Sequence, residues 1–219
     1  MKAVVSIPTY EGKLPINVVK CLLDERLMAR ELGIDLQFNF LPSCSHPAMG
    51  RSQLAHDFYE SGADRLFFLD ADITFEPGSI IKLLHMPVDI VGGAYRYKVE
   101  REDYPIGWIP EKELWSDKHG LLEVQSLPGG FTCISRRVFE KFQEAYPERW
   151  IEHFGKRFFA YYQMRFEDGK LWGEDSYFCR EWREMGEKVY LYPELELTHW
   201  DGNKPFKGKI GSWLKARLK

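Results

Sequence analysis

Four apolar residues, Leu66 to Leu69, run straight into Asp70-Ala71-Asp72, and Thr74 follows. Two chemistries use carboxylates placed in this way. The first Asp can be a nucleophile that takes up a phosphoryl group, or the acids can hold a divalent cation beneath a nucleotide diphosphate. With twelve Asp in 219 residues, chance supplies roughly 0.7 such triplets, so the triplet alone decides little. Its position says more, because an unpaired carboxylate near a core is costly and acids that end a buried strand usually serve a ligand. The plainer alternative is a pair of solvated turn acids capping a helix. A second acidic pair, Glu174-Asp175, follows Trp172-Gly173 and opens a helical stretch. A helix N-terminus orients such a carboxylate and favours its charge, although an ordinary helix cap has the same appearance.

The elements that must position these acids are readable from periodicity. Ala3 to Ile7 is β-branched, apolar and ended by Pro8, as in a buried strand. Asn17 to Leu32 carries Val18, Val19, Leu22, Leu23, Leu27 and Met28 at helical spacing and stops at Gly33. Ile34 to Leu41 is a second strand, Pro47 to Tyr59 a second helix and Arg65 to Leu69 a third strand. This βαβαβ opening implies a parallel sheet with right-handed crossovers, so ligands gather at the carboxyl ends of its strands. Pro8-Thr9-Tyr10 and Asp70-Ala71-Asp72 both fall there.

Further on, the pattern gives a helix over Ser79 to His85 and a strand over Val88 to Val91 that ends in Gly92-Gly93. An irregular excursion over the cleft follows, from Arg96 to Asp117. Leu121 to Leu127 then reads as a strand, and Arg136 to Ala145 and Glu174 to Met185 as helices. Lys188 to Tyr192 and Leu195 to His199 are short strands, while Trp150 to Gly169 is aromatic without a clear period. The fold class expected is α/β: a single Rossmann-like domain with a mostly parallel central sheet and helices on both faces.

Bulk properties narrow the partners. A net charge of −3 argues against a generic nucleic-acid binder. Aromatic residues make up 15%, mostly for the core, with some available to stack on sugar rings. The four cysteines have neither metal nor redox spacing, and no run reaches transmembrane length. Free thiols and a cytoplasmic location are the expectation.

In their order along the chain, SIPTYEG, GRSQLAHDF, LFFLDADITFEPGSI, DIVGGAYRYK, LPGGFTCISRRVFEKF, GEDSYFCREWREMG and LELTHWDG resemble the small GT-A glycosyltransferases of viruses, phages and bacteria, from Val5 to about Gly208. The resemblance implies a metal-dependent transfer of sugar from a UDP- or GDP-sugar to a glycan, glycoprotein or other hydroxyl acceptor. It implies Mn²⁺ or Mg²⁺ held by Asp72, with Asp70 nearer the ribose or a metal-bound water and His199 as a late ligand. One imidazole among hard oxygens tilts such a site toward Mn²⁺. Pro8, Thr9, Tyr10 and Glu11 would hold base and ribose, with Ala71 in the same loop and Arg51 supporting it. Gly92 and Gly93 would make room for the donor sugar, and Gly129 and Gly130 would lie on the acceptor side. Asp175 would be the base of an inverting reaction, Glu174 would place the acceptor and Trp172 would form a platform for it.

Three other functions remain open beside this one. A phosphatase of the haloacid-dehalogenase type usually carries its nucleophile on the first strand, whereas this motif sits on the third. A sugar nucleotidyltransferase usually has a Gly-rich, basic loop after the first strand, and SIPTYEG has one Gly and no Arg. The third is a sugar-nucleotide-binding module without turnover. The domain is expected over 1–208, with a basic tail over 209–219. After Asp201 the chain has six Lys or Arg and no acid. That stretch reads as a solvated terminus, as an apolar face of Ile210, Trp213 and Leu214 for weak membrane contact, or as a cover for the phosphates through Lys207.

Overall fold

The computed structural model describes residues 1–110, 117–153, 155–167 and 169–217. In chain order its elements are β1 (Lys2–Pro8), α1 (Ile16–Glu31), β2 (Asp35–Leu41), α2 (Pro47–Glu60), β3 (Arg65–Leu69), β4 (Ile73–Phe75), α3 (Ser79–Leu84), β5 (Ile90–Gly92), β6 (Leu122–Val124) and β7 (Phe131–Ser135). They continue with α4 (Arg136–Ala145), β8 (Trp150–His153), β9 (Lys156–Phe159), β10 (Arg165–Glu167), β11 (Lys170–Trp172), α5 (Glu174–Glu184), β12 (Val189–Leu191), β13 (Leu197–Asp201), β14 (Lys204–Gly208) and α6 (Ile210–Arg217).

Seven strands form the central sheet in the order β2-β1-β3-β7-β5-β12-β6. β1 is parallel to β2 and β3, and β5 to β12, while β7 and β6 run against their neighbours. Five of the seven strands therefore share one direction, as the expected α/β class requires. Strand alternation sends Ala3, Val5, Ile7, Phe67 and Leu69 into one core cluster, beneath α1 and α3. Val4, Leu66 and Phe68 enter the other, beneath α2, α4, α5 and α6. Helices thus cover both faces.

Several expectations are corrected. On α1 the buried face is Val18, Leu22, Glu25 and Ala29, whereas Leu23 and Leu27 face solvent. Buried Glu25 takes the N–H groups of Gly78 and Ile81 at 2.7 Å each and so caps the first turn of α3 from another helix. The strand expected over Val88 to Val91 begins only at Ile90, and that over Leu121 to Leu127 shrinks to β6. Strands β7 and β4 of the sheets around the site were not anticipated. β7 lies between β3 and β5 and pairs antiparallel with both. β4, made from Ile73-Thr74-Phe75, joins β13 and β14 in a separate three-stranded sheet. The aromatic stretch after Trp150 forms two short hairpins, β8–β9 and β10–β11. Of the Arg96 to Asp117 excursion, residues 111–116 lie outside the described residues, as do 154, 168, 218 and 219.

The C-terminal segment is folded through residue 217. β14 pairs with β13 over its full length, and α6 buries Ile210 and Leu214 in the core. The Trp213 indole donates to the Glu102 carbonyl at 3.0 Å, and its ring lies edge-on to Tyr104. The apolar face suggested for a membrane is therefore turned inward, and Lys209 and Lys215 pair with Glu194. No helix among the described residues is long and apolar enough to cross a membrane.

Candidate active site

The carboxyl ends of β1 and β3 open into a cleft of about 1150 Å³. Its floor is organised by Arg51, which α2 presents almost completely buried. One guanidinium nitrogen donates to Asp70 Oδ1 at 2.7 Å, Nε faces Glu174 Oε1 at 3.4 Å, and the third nitrogen donates to the Gly129 carbonyl at 3.2 Å. Burial by itself would favour the neutral form of Arg51, but the charges of Asp70 and Glu174 outweigh it and raise the pKa above the ordinary arginine value. A single buried cation therefore ties the loop after β3 to the start of α5.

Pro128-Gly129-Gly130 closes this hub from below. A Cβ on Gly130 would lie 2.2 Å from Asp70 Oδ2, and one on Gly129 would lie 2.9 Å from the Arg51 guanidinium carbon. The two glycines are thus required by close approach. The Gly129 N–H donates to Asp175 Oδ2 at 3.1 Å and the Ser176 N–H to Asp175 Oδ1 at 2.6 Å, which fixes that carboxylate at the head of α5. Among the described residues no cation is paired with it. Burial first, and then the charge of Asp175, raise the pKa of Glu174 above the usual glutamate value, with Arg51 opposing them.

The small sheet supplies the other wall. In β4–β13 pairing His199 stands opposite Ile73, and the Trp200 N–H donates to the Asp72 carbonyl at 2.9 Å. This brings His199 Nε2 to 3.3 Å from Asp72 Oδ2. His199 Nδ1 donates to the Arg96 carbonyl at 2.8 Å, so in the neutral imidazole the lone pair of Nε2 faces the carboxylate. Two acceptors turned toward each other call for a cation between them, the proton of an imidazolium or a metal, and an imidazole oriented by a carbonyl is the usual arrangement of a metal-binding His. Asp72 and His199 thus fit a divalent metal. Asp70 does not join them, because Oδ1 is bound to Arg51 and Oδ2 faces the Tyr95 hydroxyl at 3.4 Å. No group of three or more potential ligands is assembled among the described residues. Lys98 also reaches Asp72 Oδ2, at 2.6 Å. Burial would raise the Asp72 pKa, but the contacts to His199 and Lys98 outweigh it and hold it below the usual aspartate value.

The remaining sequence candidates divide. Pro8, Tyr10, Glu11, Ala71 and Glu174 line the cleft with Arg51, Asp70, Asp72 and His199. Thr9 is buried beneath it, with its N–H and hydroxyl both directed to the Leu41 carbonyl. Gly92 and Gly93 sit inside the core, where added Cβ atoms would meet Phe131, Leu127, Leu195 and Leu197. Trp172 lies beside the Arg180 guanidinium on the β10–β11 hairpin. Lys207 is turned away from the cleft: it pairs with Glu196 at 2.6 Å and lines a separate groove with Thr74. Sequence reasoning missed Tyr95, Lys98 and Trp200. For the first two the available signal was their place just beyond the Gly92-Gly93 strand end.

No protein-family model matches the chain, and no curated protein does. Solved structures are similar to it. The catalytic domain of Drosophila beta1,4galactosyltransferase 7, in complex with xylobiose, is 11% identical over 95% of this chain and 70% of its own, with a TM-score of 0.48. GalNAc-T7 with UDP, GalNAc and Mn²⁺ is 13% identical over 90% of this chain, which spans 43% of that one, with a TM-score of 0.48. The inositol-1-phosphate CTP transferase from T. maritima is 12% identical over 92% of this chain and 89% of its own, with a TM-score of 0.43.

Proposed function

We propose that this protein is a metal-dependent glycosyltransferase that moves a sugar from a UDP- or GDP-sugar to a hydroxyl acceptor such as a glycan. The observation that carries the reading is the facing pair Asp72 and His199 in a 1150 Å³ cleft that Glu174 also lines, with Asp175 beside it at the N-terminus of α5. Asp72 and His199 would hold Mn²⁺ or Mg²⁺, which when bound offsets the charge that develops on a departing nucleoside diphosphate.

The chain's own residues do the rest. Tyr10, 76% exposed at the rim, offers a face for the base. Arg51 fixes Asp70 beside the ribose position and keeps Glu174 in the cleft. Asp175, held by two backbone N–H groups and free of any cationic partner among the described residues, takes the proton from the attacking hydroxyl in an inverting transfer. Glu174 accepts a hydrogen bond from the acceptor and places it.

Calorimetric titration with UDP and with GDP, in EDTA and in Mn²⁺, tests the reading. One of the two nucleotides should bind far more tightly with Mn²⁺, and Asp72→Ala should remove the difference. Equal affinity in EDTA and Mn²⁺ for the wild-type protein would contradict the metal assignment.

A further inference from the structure

Lys98 is the one lysine or arginine paired with Asp72 among the described residues. Its ammonium and His199 Nε2 address the same atom, Asp72 Oδ2, at 2.6 and 3.3 Å. A divalent cation between Asp72 and His199 would repel an ammonium held on the same carboxylate oxygen, which favours displacement of the lysine. We propose that Lys98 is an exchangeable internal cation: it neutralises Asp72 in the free protein and passes to the diphosphate of the donor when a metal takes its place. This inference rests on the donor and metal reading of the cleft.

The surroundings allow the side chain to move while its backbone stays. Arg96 clamps the loop, donating to the carbonyls of Lys207 at 3.3 Å, Val99 at 3.2 Å and Glu100 at 3.0 Å. The Arg96 carbonyl in turn holds His199, so one residue orients both the imidazole and the loop that carries Lys98. Lys98 itself is one-third exposed, lines the cleft and has no acidic partner other than Asp72 among the described residues. The other acid of the motif, Asp70, already pairs with Arg51. Released from Asp72, the ammonium would remain in the cleft proposed to hold the donor, where the diphosphate offers it a new anion. Strand β14 serves this arrangement through the Lys207 carbonyl rather than through the Lys207 side chain.

Removing Lys98 should then shift two affinities in opposite directions. In Lys98→Gln, Mn²⁺ alone should bind about tenfold more tightly, because its competitor is gone. UDP or GDP at saturating Mn²⁺ should bind about tenfold more weakly, as expected for loss of one charge-assisted contact. Lys98→Arg should return both toward wild type. Calorimetry measures both, and an unchanged melting temperature confirms an intact fold. If Lys98→Gln weakens both ligands or alters neither while the wild-type protein binds them, the exchange is wrong and the donor reading stands. If the wild-type protein binds neither Mn²⁺ nor either nucleotide, the donor reading fails and the exchange fails with it.

Discussion

Glu174 and Asp175 are adjacent in the chain but meet different surroundings, and the separate work proposed for them rests on that difference. Glu174 is poorly solvated, sits beside another carboxylate and shares Arg51 with Asp70, so it keeps its proton to higher pH than an ordinary glutamate. A placing role that needs its ionised form should therefore give the transfer rate an acidic limb above the usual glutamate range, with activity falling as pH falls through it. Glu174→Gln should remove that limb and raise the acceptor KM while leaving donor affinity in place. Asp175→Asn, which keeps shape and loses the proton acceptor, should lower kcat by roughly 10²–10⁴ with donor affinity unchanged. Near-normal turnover in Asp175→Asn, together with a collapse in Glu174→Gln, would reverse the two roles. Both acids were legible in the sequence because each lies at a local signal, the opening of a helix after Gly173. The partnership of Arg51 with Asp70 and Glu174 was not legible, since it spans 19 and 123 residues of chain. Lys98 escaped for the same reason, lying 26 positions from the acid it reaches.

At the scale of elements, the position of α5 decides where both acids point, and a buried ion pair holds it. Arg149, in the 3₁₀ turn Pro147–Arg149 after α4, makes a two-pronged contact with Glu181 of α5, one prong at 2.9 Å. The Arg149 guanidinium also lies 3.6 Å from the centroid of the Tyr146 ring. Both charges are buried, so removing one strands the other. Arg149→Met should reduce stability by about 3–5 kcal/mol in urea unfolding, and the double variant Arg149→Met/Glu181→Leu should recover much of it. A loss below about 1 kcal/mol in the single variant would show that α5 is held by its apolar face alone. Elements of this kind differ in how visible they are. β1, α1, β2, α2 and β3 follow from local periodicity, and the βαβ order then sets their parallel pairing. β7 has no such guide: Phe131-Thr132-Cys133-Ile134-Ser135 is short and buried on both faces, and it becomes a strand because β3 and β5 offer edges to it. β4 is equally hidden, because Ile73-Thr74-Phe75 pairs with β13 more than a hundred residues later. That pairing is what carries His199 to Asp72.

Across the whole molecule, the parallel half of the sheet presents Pro8, Tyr10 and the Asp70–Asp72 loop at one edge of the cleft, and the C-terminal hairpin β13–β14 closes the other. The basic segment after Asp201 is part of this frame: its strand backs the Arg96 clamp and its helix fills the core. Composition alone showed the segregation of charge there but not its outcome, because a Lys- and Gly-rich stretch folds only against the strand that precedes it. The molecule so assembled has a cleft lined by the proposed metal pair Asp72 and His199 and by Glu174, and cleavage of a nucleotide sugar is its central proposed chemistry. The most direct measurement is incubation with a panel of UDP- and GDP-sugars in Mn²⁺, without acceptor, while following nucleoside diphosphate release. At least one donor should yield free UDP or GDP slowly, and EDTA should stop it. Release of inorganic phosphate or of a nucleoside monophosphate in its place, or donor binding with no release from any member of the panel, would contradict the account.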